Sequence, residues 1–306
     1  MSVLVVGSVA LDSIETPFGK VERVVGGSAT YFTSAASLYA KVNLVGVVGE
    51  DFPVDSIAFL RERGADLRGL QIVPAGSTFH WQGRYDFDLS VAHTLDTQLN
   101  VFATFHPELP QEYRRPRIVF LANIDPDLQM EVLDQVEEAE LSVLDTMNFW
   151  ITSKKDSLLK AISRVNVVAM NEAEARQLVG SYSLLRAARE ILSLGPDVLV
   201  IKKGEYGAVL FTESGYFVAP AYPLETVKDP TGAGDSFAGG FIGYLAEQGV
   251  GGHLHMRRAM IHGSVVASFC VEDFSIERLK RLTRAEVQAR YREFQHITYF
   301  EALDPA

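Results

Sequence analysis

Short apolar runs rich in β-branched residues recur along the chain, and amphipathic stretches separate them. Runs that are apolar on both faces are typical of strands buried between two layers of helices. The strands predicted on this basis cover residues 3–6, 44–48, 118–121, 141–144, 165–169 and 198–201.

The stretches between these runs carry apolar residues at helical spacing. The predicted helices cover residues 28–41, 53–63, 127–139, 171–179, 183–194, 235–248 and 254–270. Alternating strands and helices indicate an α/β fold with a mostly parallel central sheet and helices on both of its faces. We expect a single domain over residues 1–306.

The segment 77–105 departs from this alternation. Phe79, Trp81, Tyr85 and Phe87 occupy odd positions and polar residues occupy the even ones, which predicts strands with one aromatic and one hydrated face. We expect a small antiparallel β lid formed by about residues 11–26 and 76–105. The aromatic face has three possible roles: a cover over a ligand, a homodimer surface, or an ordinary edge hairpin of the core.

Composition and charge narrow the range of partners. The net charge is −11 and no block of lysine or arginine occurs, which argues against nucleic-acid binding. No run approaches the ~20 apolar residues that a membrane span needs, and the N-terminus lacks the features of a signal peptide. The one cysteine, Cys270, lies in an apolar run and is interpreted as a small core residue. We expect a soluble, cytoplasmic protein that acts on small molecules.

The segment 229–245 is the most informative for chemistry. Apolar residues at helical spacing follow Asp235, so a helix is predicted to begin near it, after Gly232, Ala233 and Gly234. Small residues let a ligand approach the backbone, and the first N–H groups of a helix have no partner within it. This combination favours an anion site.

Asp235 can be read as a helix N-cap or as a general base. A capping box needs Glu or Gln three residues later, but Ala238 stands there. A carboxylate beside a phosphate site repels the phosphate, so its presence there needs a functional reason. The task that fits is to orient an acceptor hydroxyl and accept its proton during phosphoryl transfer.

The run from Asp229 to Asp235 resembles the C-terminal signature of the ribokinase-like (PfkB) carbohydrate and nucleoside kinase family. The resemblance implies that the backbone of Gly232, Ala233 and Gly234 forms an anion hole and that Asp235 is the catalytic base. It implies ATP and Mg²⁺ as cofactors. Asp229 and Thr231 match positions that hold a monovalent cation such as K⁺ in some members, and Thr231 is counted among the cofactor-binding residues.

Other landmarks follow in the order of the family. The run Gly26 to Tyr31 resembles its N-terminal glycine-pair motif, which shapes the acceptor site, and Asp12 resembles the aspartate that clasps substrate hydroxyls. The predicted substrate-binding residues are Asp12, Gly27, Tyr31 and Asn123. Ribose-phosphorylating members usually have asparagine near the position of Tyr31, which is a departure from the pattern.

The nucleotide end of the site is implied by three further segments. Asn171 and Glu174 resemble the pair near magnesium and the phosphates, with Glu174 acting on the metal through water. The turn after the strand at 198–201 resembles the nucleotide-binding turn of the family, and His262 lies where the family lines its adenine pocket, usually with other residues. The predicted cofactor-binding residues are Asn171, Glu174, Lys202, Gly204, Gly207, Thr231 and His262.

The resulting hypothesis is a kinase that transfers the γ-phosphoryl group of ATP to a hydroxyl of a small sugar or polyol. A nucleoside kinase of the same family and a non-catalytic binding protein are the alternatives. A dinucleotide-dependent oxidoreductase is disfavoured because Gly7-Ser8-Val9-Ala10 lacks the G-x-G-x-x-G fingerprint, and no P-loop motif occurs. Partners beyond the substrate are limited to a possible second copy of the chain, bound through the lid.

Overall fold

The computed structural model describes residues 2–301, except for the side chain of His253. Within this part the chain forms two sheets. Their strands are β1 (Ser2–Val6), β2 (Ala10–Thr16), β3 (Gly19–Gly26), β4 (Lys41–Gly49), β5 (Asp66–Val73), β6 (Phe79–Tyr85), β7 (Ala92–Gln98), β8 (Ile118–Leu121), β9 (Leu141–Asp145), β10 (Val167–Asn171), β11 (Val198–Lys202), β12 (Ala208–Thr212) and β13 (Gly215–Ala219).

Helices connect most of the strands of the larger sheet. Their bounds are α1 (Ser28–Ala36), α2 (Ala58–Glu62), α3 (Pro126–Gln135), α4 (Asn148–Ser153), α5 (Lys155–Ile162), α6 (Glu172–Val179), α7 (Leu184–Leu192), α8 (Ala233–Gln248), α9 (Gly252–Cys270), α10 (Glu277–Arg281) and α11 (Arg284–Thr298). In the described residues, no helix is both long and apolar enough to span a membrane.

The larger sheet has the order β13-β12-β11-β10-β9-β8-β1-β4-β5, and its strands from β11 to β5 run parallel. Side chains alternate between its faces. Val3 and Val5 enter one apolar core with α1, α8 and α9, while Leu4 and Val6 enter a second core with α3, α5 and α6. Both faces are therefore covered, and the predicted α/β fold with helices on both sides is confirmed.

Several predicted element ends are wrong for identifiable reasons. The helix predicted over 28–41 stops at Ala36, although Leu38 and Ala40 still pack against the core and continue the apolar pattern. The helix predicted over 127–139 stops at Gln135, because the next residue is extended and the Glu137 N–H donates to the Arg114 carbonyl at 2.8 Å. Apolar periodicity reports packing, and packing continues after a helix has ended.

The smaller sheet has the order β3-β2-β6-β7 and comes from the two segments predicted for the lid. β2 pairs with β3, and β6 with β7, in antiparallel fashion, whereas the central pair β2–β6 is parallel. Asp12 on β2 is the register partner of Trp81 on β6. Neighbours in register lie on the same face of a sheet, so this carboxylate and this indole share one face.

The alternation predicted for β6 holds only in part. His80 was assigned to the hydrated face but is buried, and its Nε2 lies 3.0 Å from the Ser13 hydroxyl. Phe79 is half-buried and stacks on Phe102 with ring centroids 5.3 Å apart. Phe87 lies beyond the strand and is 86% exposed. A homodimer through this sheet stays a prediction.

Candidate active site

Polar side chains meet at the carboxyl edge of the larger sheet. Asp145, Asn171 and Lys202 are the last residues of β9, β10 and β11, which are neighbours in the sheet. Carboxyl ends of parallel strands lie at one edge, where open α/β sheets bind their ligands. The start of α8 lies at the same place, since a Cβ added to Gly234 would be 3.2 Å from the Lys202 Nζ.

The turn before α8 requires glycine. Gly232 is the N-cap of the helix and has φ of 76°, a left-handed conformation that glycine adopts without strain. A Cβ at this position would lie 2.3 Å from the ring of Tyr31, which is fully buried. The turn before α8 therefore packs against Tyr31 of α1 at Gly232.

The first turn of α8 supplies donors for an anion. The Ala233 N–H donates to the Pro230 carbonyl at 3.2 Å, and the Ser236 N–H donates to the Gly232 carbonyl at 2.8 Å. Gly234 lies between these two positions, and its N–H has no acceptor within the helix because of its place in the first turn. Such a group, at the positive end of the helix dipole, favours a negatively charged ligand.

Asp235 is the third residue of α8 and is half-buried. Burial raises the pKa of its carboxyl group to about 7, the nearby Asp145 raises it further, and the Lys202 ammonium acts in the opposite direction. A carboxylate with a pKa near neutrality is suited to accept a proton from a hydroxyl at physiological pH. The N-cap of α8 is Gly232 rather than Asp235, and the role of Asp235 as a general base stays a prediction.

Asp145 is a site residue that the sequence reasoning missed. Its Oδ2 accepts from the Lys202 Nζ at 2.6 Å, and its Oδ1 accepts from the Thr146 N–H at 2.8 Å. The residue is buried. The available signal was its place at the end of a predicted strand, but an aspartate there is more often a turn residue.

Asn171 and Glu174 form a capping box at the start of α6. The Glu174 carboxylate accepts from the Asn171 N–H at 2.7 Å and from its side-chain amide at 2.6 Å. Burial raises the pKa of Glu174 to about 7, while the Lys202 ammonium lowers it. Helix capping thus explains the hydrogen bonds between Asn171 and Glu174. The same arrangement places a buried carboxyl group near Lys202.

The second half of the site lies where the smaller sheet meets α1. Asp12 is buried, its carboxylate accepts from the Gly27 N–H, and a Cβ at Gly26 would lie 1.8 Å from its Oδ2. Burial raises the pKa of Asp12 to about 7, and the negative charges of Asp229 and Asp235 raise it further. The glycine pair therefore makes room for a carboxylate that interacts electrostatically with Asp235.

Asp229 and Thr231 lie between the two halves. Asp229 is fully buried, and its oxygens accept from the N–H groups of Thr231 at 2.9 Å and Ser275 at 3.3 Å. The Thr231 hydroxyl donates to the Tyr85 hydroxyl at 3.2 Å, so β6 contacts this loop directly. The hydroxyl of Tyr31 is buried and has no hydrogen-bond partner in the described residues.

His262 does not join these groups. Its Nδ1 lies 3.0 Å from the Tyr39 hydroxyl, and its ring stacks between those of Tyr244 and Tyr291 at 4.4 and 4.6 Å. Burial lowers its pKa to about 4. These contacts place Nδ1 and both faces of the ring in core packing, and the role of His262 as a nucleotide contact stays a prediction.

Three other predicted residues have local structural roles. Asn123 accepts from the Trp150 indole N–H at 2.9 Å and donates to the Met147 sulfur at 3.1 Å. Gly204 and Gly207 have φ of 56° and 87° and form the turn between β11 and β12. Their assigned roles in substrate and nucleotide binding stay predictions.

Comparison with known proteins places the chain in a family. The model of the pfkB family carbohydrate kinases matches residues 115–278. A cytidine kinase of Thermococcus kodakarensis is 33% identical over 247 residues, which cover 79% of this chain and 87% of the relative. The chain belongs to the pfkB family of carbohydrate kinases. As a pfkB kinase it is a phosphotransferase that acts on a hydroxyl group of a sugar or nucleoside.

Solved structures share the fold of this pfkB kinase. A nucleoside kinase of Burkholderia thailandensis, in complex with inosine, superposes with a TM-score of 0.76 at 19% identity and covers 95% of this chain and 98% of its own. An Escherichia coli protein provisionally assigned as ribokinase II, with ATP and Mg²⁺, gives 0.77 at 17% identity, covering 95% and 99%. The ribokinase-like fold is therefore confirmed.

Proposed function

We propose that this pfkB kinase transfers the γ-phosphoryl group of ATP to a ribosyl hydroxyl of a nucleoside, with Asp235 as the general base. The observation that carries the proposal is the position of Asp235, one residue after the N–H of Gly234 and three after the left-handed Gly232. A carboxylate with a pKa near 7 and an anion-binding helix start are thus built into one turn. This pairing serves a reaction that takes a proton from one reactant and stabilises negative charge on the other.

The residues divide the work as follows. The Asp12 carboxylate accepts hydrogen bonds from neighbouring hydroxyls of the acceptor and holds it in place. Asp235 accepts the proton of the attacking hydroxyl while the new O–P bond forms and the bond from the γ-phosphorus to the bridging oxygen of ADP breaks. The N–H of Gly234, with the rest of the Gly232–Gly234 turn, stabilises charge on the transferred group.

The nucleotide end would be lined by Asn171, Lys202, Gly204 and Gly207. Magnesium, when bound, would supply positive charge that offsets the negative charge of the nucleotide phosphates. Glu174 and Asn171 would hold it mainly through water, because magnesium retains several waters. The local charge fits a cation, since Asp145, Glu174 and Asp235 interact with a single ammonium, that of Lys202. Asp229 and Thr231 would hold a monovalent ion such as K⁺.

A nucleoside is favoured over a simple sugar by two observations. The Thermococcus kodakarensis relative is a cytidine kinase. In addition, Asp12 and Trp81 share one face of the smaller sheet, which pairs a carboxylate for ribosyl hydroxyls with an indole on which a base can stack. The smaller sheet would then act as the cover of the acceptor site. A sugar or polyol acceptor is the second candidate, supported by the carbohydrate kinases of the family.

ADP release measured over a panel of nucleosides, free sugars and polyols tests the proposal. We expect turnover to be highest with nucleosides, to need magnesium, and to fall at least ~10²-fold in kcat in Asp235→Asn, because the amide keeps the shape but cannot accept a proton. Glu140→Gln, just before the opposite end of β9, is the matched control and should keep full activity. A panel in which free sugars outperform every nucleoside would refute the acceptor class. An Asp235→Asn variant with a tenth or more of wild-type kcat would refute the base.

A further inference from the structure

The Asp145–Lys202 pair spans an unusual distance in the sheet. Asp145 ends β9 and Lys202 ends β11, with β10 between them, yet Nζ and Oδ2 are 2.6 Å apart. Adjacent strands are ~4.8 Å apart, so the lysine side chain crosses the end of β10 to reach its partner. The pair therefore bridges three strand ends at the edge of the sheet where α8 begins.

Asp145 is held rigidly for this contact. Its second oxygen accepts from the Thr146 N–H, and its backbone carbonyl accepts from the side chain of the fully buried Gln129 at 2.9 Å. The carboxylate is 4% exposed and the lysine side chain 17% exposed. A charge of this kind is expensive to desolvate, and such pairs contribute little to stability compared with apolar residues of similar size. Its position is therefore better explained by function.

The position of Nζ connects the pair to the proposed anion hole. A Cβ at Gly234 would lie only 3.2 Å from the Lys202 Nζ, so the ammonium is adjacent to the residue whose N–H is proposed to bind the transferred group. Glu174 and Asp235 also interact with this ammonium. Without Asp145, those two carboxylates would compete for Nζ and could draw it away from Gly234.

We infer that Asp145 is a positioning residue that holds the Lys202 ammonium beside Gly234, where it contacts the terminal phosphate of ATP during phosphoryl transfer. Lys202 thereby adds a fixed positive charge to the donors of the helix start. The inference rests on the proposed function for its chemistry. Within the nucleotide end of the site, it gives Lys202 one specific contact, with the transferred phosphate.

The first test is binding, which needs no acceptor and no turnover. The affinities for a non-hydrolysable ATP analogue and for ADP are measured with magnesium in the wild type, Lys202→Met, Asp145→Asn and Glu140→Gln. We expect Lys202→Met to lose at least about tenfold in affinity for the analogue with ADP binding nearly unchanged, since only the terminal phosphate loses a charged partner. If the ratio of the affinity for the analogue to the affinity for ADP is the same in Lys202→Met and the wild type, the inference is overturned.

The second test is kinetic and separates positioning from a structural role. We expect kcat to fall ~10²-fold in Lys202→Met and ~10-fold in Asp145→Asn, and the double variant to be no slower than Lys202→Met. Lys202→Arg should recover part of the loss. A purely structural pair would lower thermal stability while leaving kcat within about threefold, and additive losses in kcat would show that Asp145 does not act through Lys202.

Lys202→Met leaves a buried carboxylate unpaired and can unfold for that reason. The double variant Asp145→Asn, Lys202→Met removes both charges and is measured in its place if Lys202→Met unfolds. A lower ratio of analogue affinity to ADP affinity than in the wild type supports the inference, and an unchanged ratio overturns it. If the wild type shows no kinase activity but Lys202→Met still loses affinity for the ATP analogue and not for ADP, the proposed function is refuted and the phosphate contact is retained.

Discussion

The raised pKa of Asp235 makes a quantitative prediction about pH. In the ligand-free enzyme, burial and the neighbouring Asp145 raise this pKa to about 7, from an ordinary value of 3.8. A base acts only when ionised, so kcat/KM should follow the ionised fraction of Asp235 in the free enzyme. That fraction is about a tenth at pH 6 and about nine-tenths at pH 8, so kcat/KM should rise almost tenfold between them.

The slope of this rise carries further information. Burial also raises the pKa values of Asp12 and Glu174 to about 7. If only Asp235 must ionise, log kcat/KM rises with a slope of at most one per pH unit. If Asp12 or Glu174 must ionise as well, the slope exceeds one, because more than one proton leaves before the enzyme is active.

The assay is initial-rate ADP release at limiting acceptor, with saturating ATP and magnesium, at pH values from about 5.5 to 8.5. Samples returned to pH 8 after each incubation control for irreversible inactivation. Glu140→Gln should show the same profile as the wild type, since Glu140 lies at the opposite edge of the sheet. A profile that is flat from pH 5.5 upward would mean that Asp235 titrates near its ordinary value, and the assignment of a general base with a raised pKa would be refuted.

Two further substitutions test the acceptor side and the turn. Asp12→Asn should raise KM for the acceptor and should raise thermal stability more at pH 8 than at pH 5. The folded-state pKa of Asp12 is above the unfolded one, so its carboxyl group destabilises the fold increasingly as pH rises from about 4 to 7, by as much as ~4 kcal/mol. Unchanged stability at pH 8 would contradict the buried charge. Gly232→Ala places a Cβ 2.3 Å from the Tyr31 ring at φ of 76°, so we expect a loss of about 1–3 kcal/mol in unfolding free energy and a lower kcat. Calorimetry measures the unfolding free energy and the ADP assay measures kcat. If both equal the wild-type values, the turn accommodates the added methyl group.

Local sequence patterns predicted the framework of the site. The six predicted strands lie in the larger sheet because each is apolar on both faces, which local composition reveals. The start of α8 follows from the glycines and Asp235, whose conformational and chemical preferences act within a few residues. Asn171 was assigned from its resemblance to a family motif, and the capping box that it forms is likewise a local feature.

Only the tertiary structure decided which distant groups meet. Asp145 and Lys202 are far apart in sequence, and their ion pair depends on the strand order and on a side chain that crosses β10. His262 looked available in the sequence, but α8, α11 and the segment after α1 surround its ring with tyrosines. Apolar patterns act over short stretches of chain, whereas charges and rings pair through space. The sequence alone could therefore place the proposed base, and the fold determined the buried charges that adjust its pKa.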